Sequence, residues 1–247
     1  MARTSKTEKT ERQAVVDKML SQQKASERAR GLKIVGVCVV IALLIIGAAA
    51  YGPVTQWWTQ RNLPALDEIG AQASSCQEPT TKPADGGQDH VAVGTPLAIE
   101  DSPPAFGQHY DVWEPIDRKF YRTSDRPEIG KLIHNLEHGY TILWYDETAA
   151  ADGEMVDDIR AIASKFEGDD ANYRNKFKAA PWTSEDGDPF PDGQHVALTH
   201  WSVGGTGEDA TGKQVGVWQY CSAPSGAAVE EFMTKYPYVD SPEPDAI

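Results

Sequence analysis

The chain has 247 residues, of which 40 % are hydrophobic and 24 % charged, a composition that suits a folded domain with appendages. Its net charge of −14 is uneven: residues 1–33 hold nine Lys/Arg against four acids, and the remainder holds 14 against 33. A body with a balance of −19 repels nucleic acid and anionic lipid, which excludes nucleic-acid binding as its role.

Residues 1–33 read as a basic cytoplasmic tail, with a solvated helix expected from Glu8 to Arg30 and a small apolar patch at Val15, Val16, Met19 and Leu20. No charged residue occurs from Ile34 to Gln60, and IVGVCVVIALLIIGAAAY within that stretch is apolar throughout. About 20 such residues in a helix span the roughly 30 Å hydrocarbon core of a bilayer. Residues 34–54 are therefore expected to form one transmembrane helix, closed by Gly52-Pro53 and followed by Trp57 and Trp58 at headgroup depth. The Lys/Arg excess before the span places the N-terminus in the cytoplasm and the rest outside, in a single-pass plasma-membrane protein whose first partner is the bilayer. A cleaved signal peptide ending near Ala48-Ala49-Ala50 is the competing reading, but the polar leader and the apolar run are both long for one.

Residues 55–89 are expected to be an extracytoplasmic stalk or linker, ending in the turn formers TTKPADGGQD. Cys38 belongs to the span, so Cys76 and Cys221 are the pair exposed to an oxidising compartment and are expected to form one disulfide. The alternative, two free thiols acting as a redox pair, has no CxxC spacing behind it.

Residues 90–247 are expected to form the exported globular domain. VAVGTPLAI suggests a first strand or extended arm, DSPPAFGQHY is too rich in Pro and Gly to be regular, and YTILWYD is a short aromatic run suited to a buried strand. GEMVDDIRAIASKFEG places Met155, Ile159, Ile162 and Phe166 on one helical face. After a long polar connection, HVALTHWS and QVGVWQYC are strand candidates, and SGAAVEEFMTKYP is a closing helix. This order predicts an α/β or α+β domain, a mixed sheet covered by two or more helices and preceded by one transmembrane helix. The second half of thioredoxin-like domains has the same order, as an analogy only.

Chemistry concentrates in LIHNLEHGY. On a helix His134 and His138 stand one above the other with Glu137 beside them, two metal ligands and a carboxylate, and His109 in the Pro-rich loop supplies a third imidazole if that loop folds back. His109, His134, His138 and Glu137 could hold zinc or copper, or they could form a buried hydrogen-bond network that organises the loop. H-x-x-E-H is also the signature of inverted zinc peptidases, with Glu137 as base, but Gly139 and a strand follow at once where those enzymes continue a long helix. His195 and His200, five apart on a strand, face opposite sides, and His90 sits beside a flexible loop. The acidic loop SEDGDPFPDG lacks the spacing of a calcium loop and reads as solvated surface.

The segment from Pro103 to Tyr110, PPAFGQHY, and HNLEHG followed by an apolar strand together resemble a family of actinobacterial membrane-anchored proteins catalogued as domain of unknown function 3105. The resemblance covers roughly residues 95–240 and singles out His109, His134, Glu137, His138 and Gly139; Tyr140 stands where many relatives carry a second glycine. It implies no activity. The function expected is a non-enzymatic envelope protein that binds a metal ion or a protein partner. A hydrolase using Glu137 as base and an accessory subunit of a membrane complex are the alternatives.

Overall fold

The computed structural model describes residues 35–52, 64–84, 88–206 and 211–246, with isolated positions at 18, 19, 33 and 54. Most of the basic tail, with the helix expected there, and Trp57 and Trp58 lie outside the described residues. The chain divides into two units, Met1–Asn62 and Leu63–Ile247. In the first, helix α1 (Val35–Gly52) is long and apolar enough to cross a membrane, a property that a signal sequence shares.

In the second unit the apolar alternation of four strands builds the core. Strands β4 (Thr141–Tyr145), β5 (Phe177–Pro181), β6 (Val196–Ser202) and β7 (Val215–Cys221) join β1 (Thr80–Pro83) in a sheet ordered β1-β7-β6-β4-β5. β5 runs parallel to β4, and the other pairings are antiparallel, so the sheet is mixed as expected. Successive residues enter opposite layers, as the two-residue period of a strand requires. Leu143, Phe177, Ala179, Val196, Leu198 and Val217 meet Ile159 and Ile162 of α4 (Gly153–Ser164) and Val229 and Phe232 of α5 (Gly226–Lys235). Ile142, Trp144, Ala180, Ala197 and Trp201 meet Leu132, Ile133 and Leu136 of α2 (Ile129–Glu137) on the other face. The short α3 (Glu147–Ala151) leads from β4 into α4.

Both long helices begin where their caps dictate. Asp152 accepts from the Glu154 and Met155 amides, and Ser225 accepts from the Ala228 amide, which satisfies donors that a helix start leaves open. Helix α2 ends in a Schellman turn: the Gly139 amide donates to the Leu136 carbonyl and the Tyr140 amide to the Asn135 carbonyl. Gly139 has φ of +88°, and a Cβ there would lie 2.3 Å from the Tyr238 carbonyl oxygen, so only glycine suits the position. This stop delivers Glu137 and His138 at a helix end directly against β4.

Two segments differ from the reading of the sequence. The expected stalk is partly folded: residues 64–84 belong to the second unit, and β1 pairs with β7, so the domain begins well before His90. β5 lies in the stretch read as a long polar connection, because Lys176 and Lys178 give FKAAP a polar look. Lys176, Lys178 and Lys119 are nevertheless buried, each donating its ammonium protons to backbone carbonyls. Burial holds Lys178 down at about 7 and Lys119 and Lys176 at about 8.

Cys76 and Cys221 form a disulfide across 145 residues, fastening the segment before β1 to the end of β7. In the chain-entropy view, closing so long a loop stabilises the fold by roughly 4–5 kcal/mol. Replacing both cysteines with serine is expected to lower the unfolding free energy by about 2–5 kcal/mol, read as a lower denaturant midpoint with a steeper slope as the unfolded chain expands.

Candidate metal centre

The segment PPAFGQH is irregular but anchored. The Trp218 indole donates to the Pro103 carbonyl at 2.7 Å and the Tyr220 hydroxyl to the Ser102 carbonyl at 2.7 Å, tying the loop to β7. Phe106 packs between Trp201 and Trp218 in space that a side chain at position 216 would fill. The loop then enters β3 (His109–Tyr110), which pairs in parallel with β2 (His90–Val91) so that His90 and His109 are direct neighbours.

This short pair is pressed onto α2. A Cβ on Gly130 would lie 2.7–2.8 Å from Leu97 and the Tyr110 ring, so the missing side chain permits the approach. Asn135 then clasps the following segment, accepting from the Glu114 amide at 3.0 Å and donating to its carbonyl at 2.8 Å. Between these contacts, His134 Nδ1 donates to the Tyr110 carbonyl at 2.6 Å.

Four groups converge. The ligand atoms of His90, His109, His134 and Glu137 all lie within 4.8 Å of one another. His109 Nε2 is 3.2 Å from His90 Nε2 and 2.9 Å from Glu137 Oε2, and His90 Nε2 is 3.5 Å from that same oxygen. Tetrahedral bonds of about 2.0–2.1 Å to a zinc ion place neighbouring ligands about 3.3 Å apart, so these separations match a coordination shell.

The outer contacts set the polarity of each ligand. His109 Nδ1 meets the Gly107 carbonyl at 2.8 Å, and because a carbonyl only accepts, the proton is on Nδ1. In its neutral form, His109 therefore turns the Nε2 lone pair toward the carboxylate. His134, tied through Nδ1 to Tyr110, is arranged in the same way. Gln88 donates to Glu137 Oε1 at 2.9 Å and is itself held by Gln214 at 2.9 Å. Among the described residues, buried Glu137 Oε2 has no partner in hydrogen-bonding geometry. When His109 is neutral its lone pair and the carboxylate point at one another in a buried site, an arrangement that a cation between them relieves.

Charge states fit the same picture. Burial lowers His134 below the ordinary imidazole value and keeps it neutral. Burial alone would raise Glu137, but the His109 ring in its protonated form and the Gln88 amide outweigh it and hold the carboxyl below its ordinary value. Neutral imidazoles and an ionised carboxylate are the forms that bind metal.

Of the residues singled out in the sequence, His109, His134 and Glu137 come together. His138 stands beside them, its ring 4.4 Å from that of His134, in a separate group with Glu137 and Glu243. His90, set aside in the sequence, takes a place in the first group. Only the pairing of two two-residue strands reveals this, and no sequence spacing marks it. Neither strand histidine joins: His195 bonds Asp146 at 2.8 Å, and His200 is enclosed between the Tyr140 and Asp240 carbonyls. In the acidic loop, Asp186 is bound by both terminal nitrogens of Arg126, at 2.6 and 2.8 Å.

Fold and site together define an α+β domain with a His₃Glu cluster in ligand geometry, on a chain that also has one strongly apolar helix. A family model described as "Protein of unknown function (DUF3105)" matches residues 90–247, and the chain belongs to that family. No curated protein and no solved structure matches it.

Burial, neighbouring His134 and Lys176 hold His138 down at about 3, whereas an unfolded imidazole titrates near 6.5. The unfolded chain therefore binds more protons in that window, and stability falls as pH drops through it. With chelator present, His138→Gln is expected to make the loss of stability between pH 6.5 and 4 shallower, as measured by denaturant unfolding.

Proposed function

We propose that this is a membrane-anchored extracytoplasmic protein that holds a zinc or copper ion through His90, His109, His134 and Glu137, and that it acts by binding and not by catalysis. The observation that carries the reading is the convergence of His90 Nε2, His109 Nε2 and Glu137 Oε2 at 2.9–3.5 Å, with the opposite nitrogen of His109 and the other oxygen of Glu137 already occupied. Three imidazoles and one carboxylate, without thiolate, suit Zn²⁺ or Cu²⁺.

Two features favour binding over hydrolysis. Four protein ligands complete a tetrahedral shell, whereas a catalytic zinc keeps a position open for water. Glu137 also belongs to the shell, which takes from it the part of free base. Helix α1 supports the anchor, and the disulfide supports an oxidising compartment outside the cytoplasm.

The test is metal analysis of the full chain, purified in mild detergent without chelator and then exposed in turn to Zn²⁺ and Cu²⁺. One tightly held equivalent is expected in the parent. His109→Ala with His134→Ala, folded by circular dichroism, is expected to lose it. A parent that retains neither ion would leave the cluster as a structural network.

A further inference from the structure

Glu137 belongs to two groups of ligands. Beyond the His₃Glu cluster, Glu137, His138 and Glu243 place ligand atoms within 4.8 Å of one another. His138 is 1 % exposed, its Nδ1 has no hydrogen-bond partner among the described residues, and its Nε2 faces Glu243 Oε2 at 3.6 Å. The 3.6 Å between Nε2 and the Glu243 carboxylate is longer than a hydrogen bond and close to the spacing of two ligands on one zinc ion.

The chain takes Glu243 to this place by specific contacts. The Glu243 amide donates to the Glu137 carbonyl at 2.9 Å, which lays the C-terminal segment across the end of α2. Lys176 then clamps both parts, donating to the His138 carbonyl at 2.7 Å and to the Pro244 and Ala246 carbonyls at 2.7 and 2.6 Å. The Glu243 side chain is half exposed, whereas Glu137 and His138 are buried.

Building on the site described under Proposed function, we propose that Glu137, His138 and Glu243 form a second divalent-cation position, joined to the first through the Glu137 carboxylate. Two carboxylates and one imidazole suit Zn²⁺, with the remaining coordination filled by solvent on the Glu243 side. Three ligands, one of them half exposed, make this position the weaker and more exchangeable of the two. It is the solvent-facing half of a two-ion centre whose inner half is the His₃Glu cluster. The shared carboxylate offsets part of the repulsion between the ions.

Equilibrium dialysis of the full chain in detergent against Zn²⁺ tests this, with Glu243→Gln as the comparison. The substitution keeps the backbone contact to Glu137 and lies at the surface, so the fold is retained. The parent is expected to bind two equivalents, one tight and one weaker. Glu243→Gln is expected to keep the tight equivalent and to weaken the second at least tenfold. One equivalent in both proteins, or two equivalents unaffected by the substitution, overturns the second position and leaves the first standing. No zinc in the parent overturns both.

Discussion

The structure turns on one electrostatic constraint: the buried carboxylate of Glu137 and the Nε2 atoms of His109 and His90 crowd one another at 2.9–3.5 Å. Glu137 Oε2 is 2.9 Å from His109 Nε2, and the proton of that ring is committed to the Gly107 carbonyl on its other side. With the ring neutral and no cation present, such an arrangement is repulsive and costly in a low-dielectric interior. A divalent cation turns the same geometry into a coordination shell, so the ligand positions and the contacts behind them form a single device.

Much of the fold can be read as support for that device. The Pro-rich loop is fastened to β7 by Trp218 and Tyr220 and delivers His109. The bare flank of Gly130 lets Tyr110 lie on α2, and the Tyr110 carbonyl orients His134. The Schellman turn at Gly139 stops α2 where Glu137 and His138 reach the sheet. Each contact ties a ligand to a rigid element, as a site that must hold distances within a few tenths of an ångström requires.

The sequence made the periodic elements legible. YTILWYD, HVALTHWS and QVGVWQYC became β4, β6 and β7, and the face of Ile159 and Ile162 became that of α4, because apolar period is a local property. Cys76 and Cys221 were legible as a disulfide from compartment and count. β5 was not, since the lysines around it are buried only through backbone carbonyls far away in the chain. β1 was hidden in a segment of turn formers and became a strand only by pairing with β7. At the site, His134 and Glu137 were legible from helical spacing and His109 from its loop motif. The place of His90 depends on a tertiary pairing that no local pattern encodes.

X-ray absorption spectroscopy of the full chain loaded with one equivalent of zinc tests the central claim most directly. A first shell of four N/O ligands at about 2.0–2.1 Å, with the multiple scattering of three imidazoles and no sulfur, is the predicted result. Changing His90 to Ala should reduce the imidazole count by one. A six-coordinate, water-dominated shell, or an imidazole count unaffected by His90→Ala, would contradict the account.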